Sequence, residues 1–280
     1  MIKTWMTPWL LMAVPFLAAT PSLLPRTARQ RMKTSALLTT VASMLVVIGT
    51  PWALGDTLAG VPFLCLLPLT AFLSLLGQPL HRDNTSAWTT TLVLLGLGLG
   101  ILTAQAPVHD VMLLILPGLL CILLYRYQSG ATPETWRGLS AYGLSMMSAA
   151  LALVLPTPAS TVALLVTCAT LLPLLPVHSG FIATLTGLPG NLPAFLVFPL
   201  PTVGFHTLLT LLPNLTVTTL HTVAILALAG AVYGSLRALI QARPLPRLSY
   251  AAVAFFGLLW WYVADTGTAP MQATVYLSAV

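Results

Sequence analysis

The chain has 280 residues, of which 58% are hydrophobic and only 6% are charged. Its mean hydropathy is +0.95, whereas a soluble globular domain is about 45–50% apolar and about 25% charged. So few charged side chains cannot cover a water-facing surface, which excludes a soluble enzyme, a disordered chain and a nucleic-acid-binding protein. The formal net charge of +6 is therefore interpreted as a signal of membrane topology and not as a site for a polyanion.

Apolar runs long enough to cross a membrane follow one another along most of the chain. A crossing needs about 20 mostly apolar residues, because the hydrocarbon core is about 30 Å thick. We therefore expect an all-α membrane protein with one polytopic domain over residues 1–280, whereas the last apolar stretch, 270–280, is too short to cross. The sequence predicts ten transmembrane helices, with approximate limits 5–25, 34–54, 57–77, 87–108, 110–126, 138–157, 160–177, 192–212, 218–240 and 248–264.

The basic residues fall almost entirely on one side of this predicted topology. The even-numbered loops carry Asp56, Asp110 and Asp265 but no Lys or Arg, and only Lys3 lies on the same side as these loops. The positive-inside rule then places the odd-numbered loops in the cytoplasm or matrix and the N-terminus outside. This arginine-rich side is defined by Arg26, Arg29, Arg31, Lys33, Arg82, Arg126, Arg137, Arg237, Arg243 and Arg247.

Prolines and glycines are concentrated between Pro173 and Pro201. Proline removes a backbone donor and interrupts the helical hydrogen bonds. Inside a membrane, such backbone must be covered by protein or line a wet cavity, as in the broken helices of transporters. The pattern predicts a broken seventh helix, and a plain loop between two helices is the alternative interpretation.

Candidate polar sites are few. The sequence contains no nucleophile–base pair, no metal-ligand cluster and no Lys, Asp or Glu near the middle of a predicted helix, although proton relays need such groups. Thr202 and His206 are spaced to share a helix face, and with His178 and His221 they form the candidate proton path or polar axis. The alternative for each histidine is a hydrogen-bonded packing role.

Other short patterns are interpreted as packing features. Gly96 and Gly100, in the sequence GLGLG, lie within an apolar run and not after a strand, so they predict a close helix-packing face and not a nucleotide site. The three cysteines also lie in apolar runs and are interpreted as small packing residues, namely Cys65, Cys121 and Cys168.

The order of several motifs resembles that of a known family. The run LLPLLPVH (171–178) resembles K-x-P-x-x-P-x-H at a broken seventh helix, and 229–250 resembles a stretch ending A-L-x-Q-x-D-x-K-R-x-x-A-Y. AAVAFFG (251–257) stands where the family has S-S-I-S-Q-x-G, and 99–118 resembles the region with A-Q-D. Over about two thirds of its length, the chain therefore resembles the antiporter-like membrane subunits of respiratory complex I. These are NADH dehydrogenase chains 2, 4 and 5 and their Mrp-antiporter relatives.

This resemblance implies a membrane-arm subunit of a proton-pumping NADH:quinone oxidoreductase. The chain would correspond to helices 1–10 of a fold that usually has about fourteen, with no catalytic, redox, metal or cofactor site of its own. Its expected partners are other membrane-arm subunits, a chain that supplies the remaining helices, and a cardiolipin-like phospholipid, but no nucleic acid. The expected location is the mitochondrial inner membrane, and the bacterial plasma membrane is the alternative.

The departures from the family pattern concern its ionisable groups. Leu171 and Thr202 occupy the positions of the lysines in the seventh and eighth helices, and Leu119 that of the fifth-helix glutamate. Arg243 and Leu245 replace the D and K of D-x-K-R. The sequence thus predicts a structural subunit, or a degenerate or split half of a proton channel. One alternative is a channel that still conducts protons through water and His178, His206 and His221. The other is a free-standing secondary transporter of a small solute or ion.

Overall fold

The computed structural model describes residues 2–20, 29–54, 61–79, 84–127, 133–266 and 277. Within these ranges the chain is helical and contains no strand. The loop residues Arg26, Asp56 and Arg82, and nearly all of the stretch 270–280, lie outside the described residues. The helices are α1 (Ile2–Ala19), α2 (Arg29–Leu54), α3 (Val61–Leu76), α4 (Asn84–Thr103), α5 (Val108–Tyr127), α6 (Pro133–Val154), α7 (Ala159–Leu171), α8 (Ser179–Gly187), α9 (Leu192–Leu196), α10 (Pro199–Leu211), α11 (Val217–Ile240) and α12 (Pro244–Thr266).

Every apolar run predicted from the sequence contains a helix. The run 160–177 becomes α7 and an irregular segment, and the run 192–212 is divided between α9 and α10. By length and composition, six helical segments of the described residues could cross a membrane, which are 32–49, 86–103, 108–127, 192–214, 217–240 and 244–265. An all-helical membrane protein is thereby confirmed, whereas the number of ten crossings and the side of the N-terminus stay predictions.

Hydroxyl side chains within the helices bond to their own backbone. Thr39 donates to the carbonyl of Ser35 at 2.7 Å, and Thr91 donates to the carbonyl of Ala87 at 2.8 Å. This arrangement satisfies a hydroxyl without a partner from another helix. Serine and threonine can therefore lie in these apolar helices at little cost.

The chain folds into two compact units. Unit 1 comprises residues 1–112 and 189–199, and unit 2 comprises residues 113–188 and 200–280. In unit 1, α4 is the central helix, and side chains of α1 and α3 lie against its glycines. A Cβ atom at Gly96 would lie 3.3 Å from the Phe16 ring and one at Gly100 2.5 Å from Met12 Sδ, both on α1. A Cβ atom at Gly98 would lie 2.8 Å from Leu67 Cδ2 on α3. The close packing face predicted from GLGLG is therefore present.

In unit 2, α11 and α12 form a tight antiparallel hairpin. A Cβ atom at Gly234 would lie 2.6 Å from the backbone nitrogen of Ala254. A Cβ atom at Gly257 would lie 2.8 Å from the carbonyl oxygen of Ala227. Because backbone meets backbone at these two points, only glycine fits at either position.

Candidate functional site: the broken seventh helix

The seventh apolar run is interrupted where the sequence predicts a break. Helix α7 has 13 residues, about 20 Å at 1.5 Å per residue, which is shorter than the hydrocarbon core. Its last turn is closed by the Leu172 N–H, which donates to Cys168 O at 2.8 Å, and by the Leu174 N–H, which donates to Ala169 O at 2.9 Å. Residues 172–178, with two prolines, then separate α7 from α8.

A side chain from α12 satisfies the backbone at this break. The indole Nε1–H of Trp260 donates to the carbonyl oxygen of Leu172 at 2.9 Å. Trp260 is only 1% exposed and Leu172 is fully buried. The carbonyl would otherwise have no helical donor, because the helix ends there. Unpaired backbone groups are costly within a membrane, so this single bond allows the helix to stop inside the protein.

Neutral hydroxyl groups connect α6 to both halves of the broken helix. Tyr142 Oη lies 2.7 Å from Thr184 Oγ1 on α8. Ser145, one turn later on α6, lies 2.7 Å from Thr170 Oγ1 on α7, and its carbonyl accepts from Thr167 at 3.2 Å. All five residues are buried. This arrangement supplies hydrogen bonds at the break without any formal charge.

Two positions match those at which the antiporter-like family has lysines, and both hold buried, neutral residues. Leu171 and Thr202 are both 0% exposed. Gly204 of α10 lies directly against the end of α7, since a Cβ atom there would be 2.7 Å from Leu172 N and 3.2 Å from Leu171 Cβ. The end of α7 therefore has no room for a lysine side chain on this side.

Thr202 and His206 share one face of α10, as their spacing predicts. Residues two apart in an α-helix lie about 200° apart around its axis. Thr202 and His206 consequently lie on the side of α10 opposite Gly204, away from the end of α7. Thr202 is fully buried, whereas His206 is half-buried.

His178 lies at the start of α8, in a row of aromatic rings that was not predicted from the sequence. Its ring meets that of Tyr233 edge to face at 5.2 Å, and Tyr233 meets Tyr250 at 6.1 Å. Arg237 Nη2 donates to Tyr250 Oη at 3.4 Å. The sequence contained one indication of this row. Tyr233 and Arg237 are four residues apart, which places both on one face of α11.

The predicted polar axis is not gathered into one cluster. His221 is exposed in the second turn of α11. Twelve residues separate it from Tyr233, the neighbour of His178, which corresponds to about 18 Å along the helix. Ser179 also donates to the carbonyl of Arg137 at 3.0 Å, so His178 lies near the end of α6 that carries an arginine. A role in proton transfer for His178, Thr202, His206 and His221 stays a prediction.

Unit 1 has its own buried polar centre, around Asn191. Its Nδ2 donates to Thr91 Oγ1 at 2.8 Å and to Ser74 Oγ at 3.3 Å. Both hydroxyls donate in turn to carbonyls of their own helices, at 2.8 Å each. Asn191 is 1% exposed, and the turn before it uses Gly190 at φ 68°, a conformation that glycine adopts without strain.

Titratable groups are sparse throughout the described part of the chain. The one ion pair found there joins His109 Nδ1 to Asp110 Oδ1 at 3.0 Å, at the start of α5. No group of three or more potential metal ligands occurs among those residues. The break in the seventh helix can therefore form hydrogen bonds through neutral groups, but it holds no lysine–carboxylate pair.

Comparison with solved structures finds similar folds in respiratory membrane complexes. A chain of respiratory complex I from Thermus thermophilus with bound aureothin matches with a TM-score of 0.71 at 19% identity, over 96% of this chain and 67% of that chain. In the same complex with bound NADH, a chain matches with a TM-score of 0.70 at 17% identity, over 96% and 70% of the two chains.

A third similar chain belongs to a different assembly. It is part of the membrane-bound sulfane sulfur reductase, an archaeal respiratory membrane complex, and matches with a TM-score of 0.75 at 14% identity, over 96% of this chain and 69% of that chain. No protein-family model and no curated protein sequence matches the chain. At these identities the likeness is one of fold, and the chain has the fold of membrane subunits in respiratory complex I and a related respiratory membrane complex, which is consistent with an antiporter-like subunit.

Proposed function

We propose that the chain is a membrane-arm subunit of a proton-pumping NADH:quinone oxidoreductase, in which it serves as a structural or degenerate antiporter-like subunit. The observation that carries this proposal is the end of α7. Leu171, which is 0% exposed, stands at the position that matches the family's lysine. At the break beside it, hydrogen bonds are formed by the Trp260 indole and by hydroxyl groups. A group that relays protons must titrate, and these groups remain neutral at physiological pH.

In this function the subunit packs between pumping subunits and excludes lipid and ions from the contact. Ten crossings, an outside N-terminus and a single polytopic domain are part of the proposal. Its partners are other membrane-arm subunits, a chain that supplies further helices, and a cardiolipin-like lipid. The mitochondrial inner membrane is the proposed location, with the bacterial plasma membrane as the alternative.

The first test is purification from the native membrane. The chain is tagged at its chromosomal locus and isolated in a mild detergent, and the co-purifying proteins are identified by mass spectrometry. We expect other subunits of an NADH:quinone oxidoreductase in stoichiometric amounts. A chain that is isolated alone and supports substrate-dependent flux in liposomes would instead be a free-standing secondary transporter.

A second test separates the structural role from residual conduction. His178, His206 and His221 are replaced together by leucine in the tagged complex, and NADH-driven proton translocation is compared with NADH oxidation. The structural role predicts an unchanged ratio of protons to electrons, because no step passes through these rings. A fall in this ratio with intact assembly would show that the subunit conducts protons.

A further inference from the structure

The guanidinium group of Arg237 is held in place but not neutralised within the described residues. Its Nη2 donates to Tyr250 Oη at 3.4 Å, and its Cζ lies 5.2 Å from the centre of the Tyr250 ring. Its Nε is buried without a hydrogen-bond partner in that part of the chain. The one ion pair described involves His109 and Asp110 and no arginine. The positive charge therefore lacks a counter-ion there.

Two further arginines follow Arg237 in the chain, one in the next turn and one in the first turn of the next helix. Helix α11 ends at Ile240 and α12 begins at Pro244, so a short turn joins them. The Arg247 N–H donates to Arg243 O at 3.2 Å, which places these two residues one turn apart. Arg247 precedes Tyr250 by three residues and so lies on the same face of α12. We call Arg237, Arg243 and Arg247 the arginine cluster.

The length of α11 indicates that the cluster lies near the boundary between the hydrocarbon core and the lipid headgroups. Helix α11 has 24 residues, about 36 Å at 1.5 Å per residue, whereas the hydrocarbon core is about 30 Å thick. Arg237 is three residues from the end of this helix, on the predicted arginine-rich side. Arg243 and Arg247, in the turn and the first turn of α12, are exposed.

Exposed apolar side chains surround the cluster on both helices. Leu239 is 73% exposed, Ile240 68% and Leu248 65%. Leu236 and Leu245 are exposed as well. A ligand that matches this surface is anionic at one end and apolar at the other. A phospholipid has this structure, whereas a soluble anion has no apolar part.

From the charge, depth and apolar surroundings we propose that the arginine cluster binds the phosphate of an anionic membrane lipid. The guanidinium groups donate hydrogen bonds to the phosphate oxygens, and the acyl chains lie along the exposed leucines of α11 and α12. Tyr250 fixes the orientation of Arg237, which lowers the entropy cost of binding. Basic residues at the ends of membrane helices attract anionic headgroups in this way. The inference rests on the lipid partner named in the proposed function and gives it a site. Its test uses the chain alone, so its failure would leave the proposed respiratory role standing.

The test measures lipid binding to the full-length chain in a neutral detergent by native mass spectrometry. The probes are phosphatidylglycerol, phosphatidylcholine with the same acyl chains, and inorganic phosphate as a competitor. We expect phosphatidylglycerol to bind at least about ten-fold more tightly than phosphatidylcholine. Each arginine near the surface contributes about five-fold in affinity. Arg243→Gln with Arg247→Gln should therefore weaken binding by about 25-fold, and Arg237→Gln by about five-fold.

The matched control is the double variant Arg126→Gln with Arg137→Gln. It removes the same net charge from the same predicted side, outside the cluster, and should change the affinity less than two-fold. Equal losses in both double variants, or no preference for phosphatidylglycerol, would overturn the proposal. Displacement by equimolar inorganic phosphate would identify a free-anion site instead.

Two additional measurements cover the remaining explanations. Arg237→Lys keeps the charge at this position and should lose less than five-fold in lipid affinity, which separates binding from misfolding. Circular dichroism verifies the helical content of each variant. Crosslinking of the cluster to acidic residues of a neighbouring subunit, with no lipid bound, would assign the arginines to a protein contact and refute the lipid site.

Discussion

Helix α4 and the seventh apolar run, 160–177, have similarly apolar sequences but different backbones. Helix α4 is continuous, and its glycines allow side chains such as Phe16 to approach closely. The helix of the seventh apolar run ends at Leu171, and the carbonyl that follows accepts a hydrogen bond from Trp260, which is distant in the chain. A glycine thus allows a neighbouring helix to pack more closely. A break instead leaves a backbone carbonyl that needs a hydrogen-bond donor from another helix.

A buried charge at the break should have the largest effect. Leu171→Lys places an ammonium group where the residue is 0% exposed and Gly204 leaves no space. We expect the unfolding free energy to fall by about 3 kcal/mol or more, measured by equilibrium unfolding in mixed micelles. The volume-conserving control Leu171→Met should cost less than about 1.5 kcal/mol. A stable Lys variant would indicate an acceptor for the charge at this position.

The second-largest effect is expected when a glycine is replaced by alanine, and its size should differ between α4 and the end of α7. A Cβ atom at Gly204 would lie 2.7 Å from the backbone nitrogen of Leu172, whereas one at Gly98 would meet only the flexible end of Leu67 at 2.8 Å. Gly204→Ala should cost about 2–3 kcal/mol and Gly98→Ala less than about 1 kcal/mol, because side chains yield more easily than backbone.

The reference for this pair is Gly143→Ala, since no atom lies within 4 Å of a Cβ there. This variant should be neutral or stabilising by up to about 1 kcal/mol, owing to the helix propensity of alanine. All three alanine variants are compared by thermal unfolding followed by circular dichroism. Equal costs at Gly98 and Gly204 would contradict the contrast between side-chain and backbone contacts.

Loss of the indole donor should have an intermediate effect. Trp260→Phe keeps the aromatic packing but leaves the Leu172 carbonyl unpaired, which should cost about 1–2 kcal/mol. Trp261→Phe is the control, because Trp261 is 37% exposed. The buried thiol of Cys168, 0% exposed, reports on the opening of α7 after Cys65 and Cys121 are replaced by alanine. Its labelling rate should rise in Trp260→Phe only, and equal rates in both variants would remove the proposed role of the indole.

The smallest effect is expected at the hydroxyl contacts. Tyr142→Phe removes a hydroxyl that lies 2.7 Å from Thr184 Oγ1. Thr184 still donates to Gly180 O at 2.9 Å, so its hydroxyl retains a partner. We expect a loss of less than about 1 kcal/mol in equilibrium unfolding. A loss above about 2 kcal/mol would mean that the hydroxyl network, rather than the indole, stabilises the break.

The sequence predicted the helices well because their cause is local. Apolar runs of about 20 residues locate membrane helices, and the prolines after Leu172 located the break. The sequence predicted one helix over 192–212, whereas the structure divides this run between α9 and α10. In the structure α10 begins at Pro199, because proline in the first turn of a helix removes only a donor that would be unpaired anyway.

The side chains that complete the sites could not be predicted in the same way. Leu172 and Trp260 are 88 residues apart, and Asn191 and Thr91 are 100 residues apart. Such pairs depend on tertiary packing, which no periodicity of a single helix encodes. The family resemblance indicated that Leu171 and Thr202 replace ionisable groups, but not that α10 turns Thr202 away from the end of α7.

The close packing of α11 against α12 limits the routes that water could take through unit 2. Backbone atoms of the two helices approach so closely at Gly234 and Gly257 that no column of solvent fits between them. A hydrated route beside this hairpin would therefore run along one of its outer faces and not between its helices. The row of rings from His178 to Tyr250 lies along one such face, beside the start of α8.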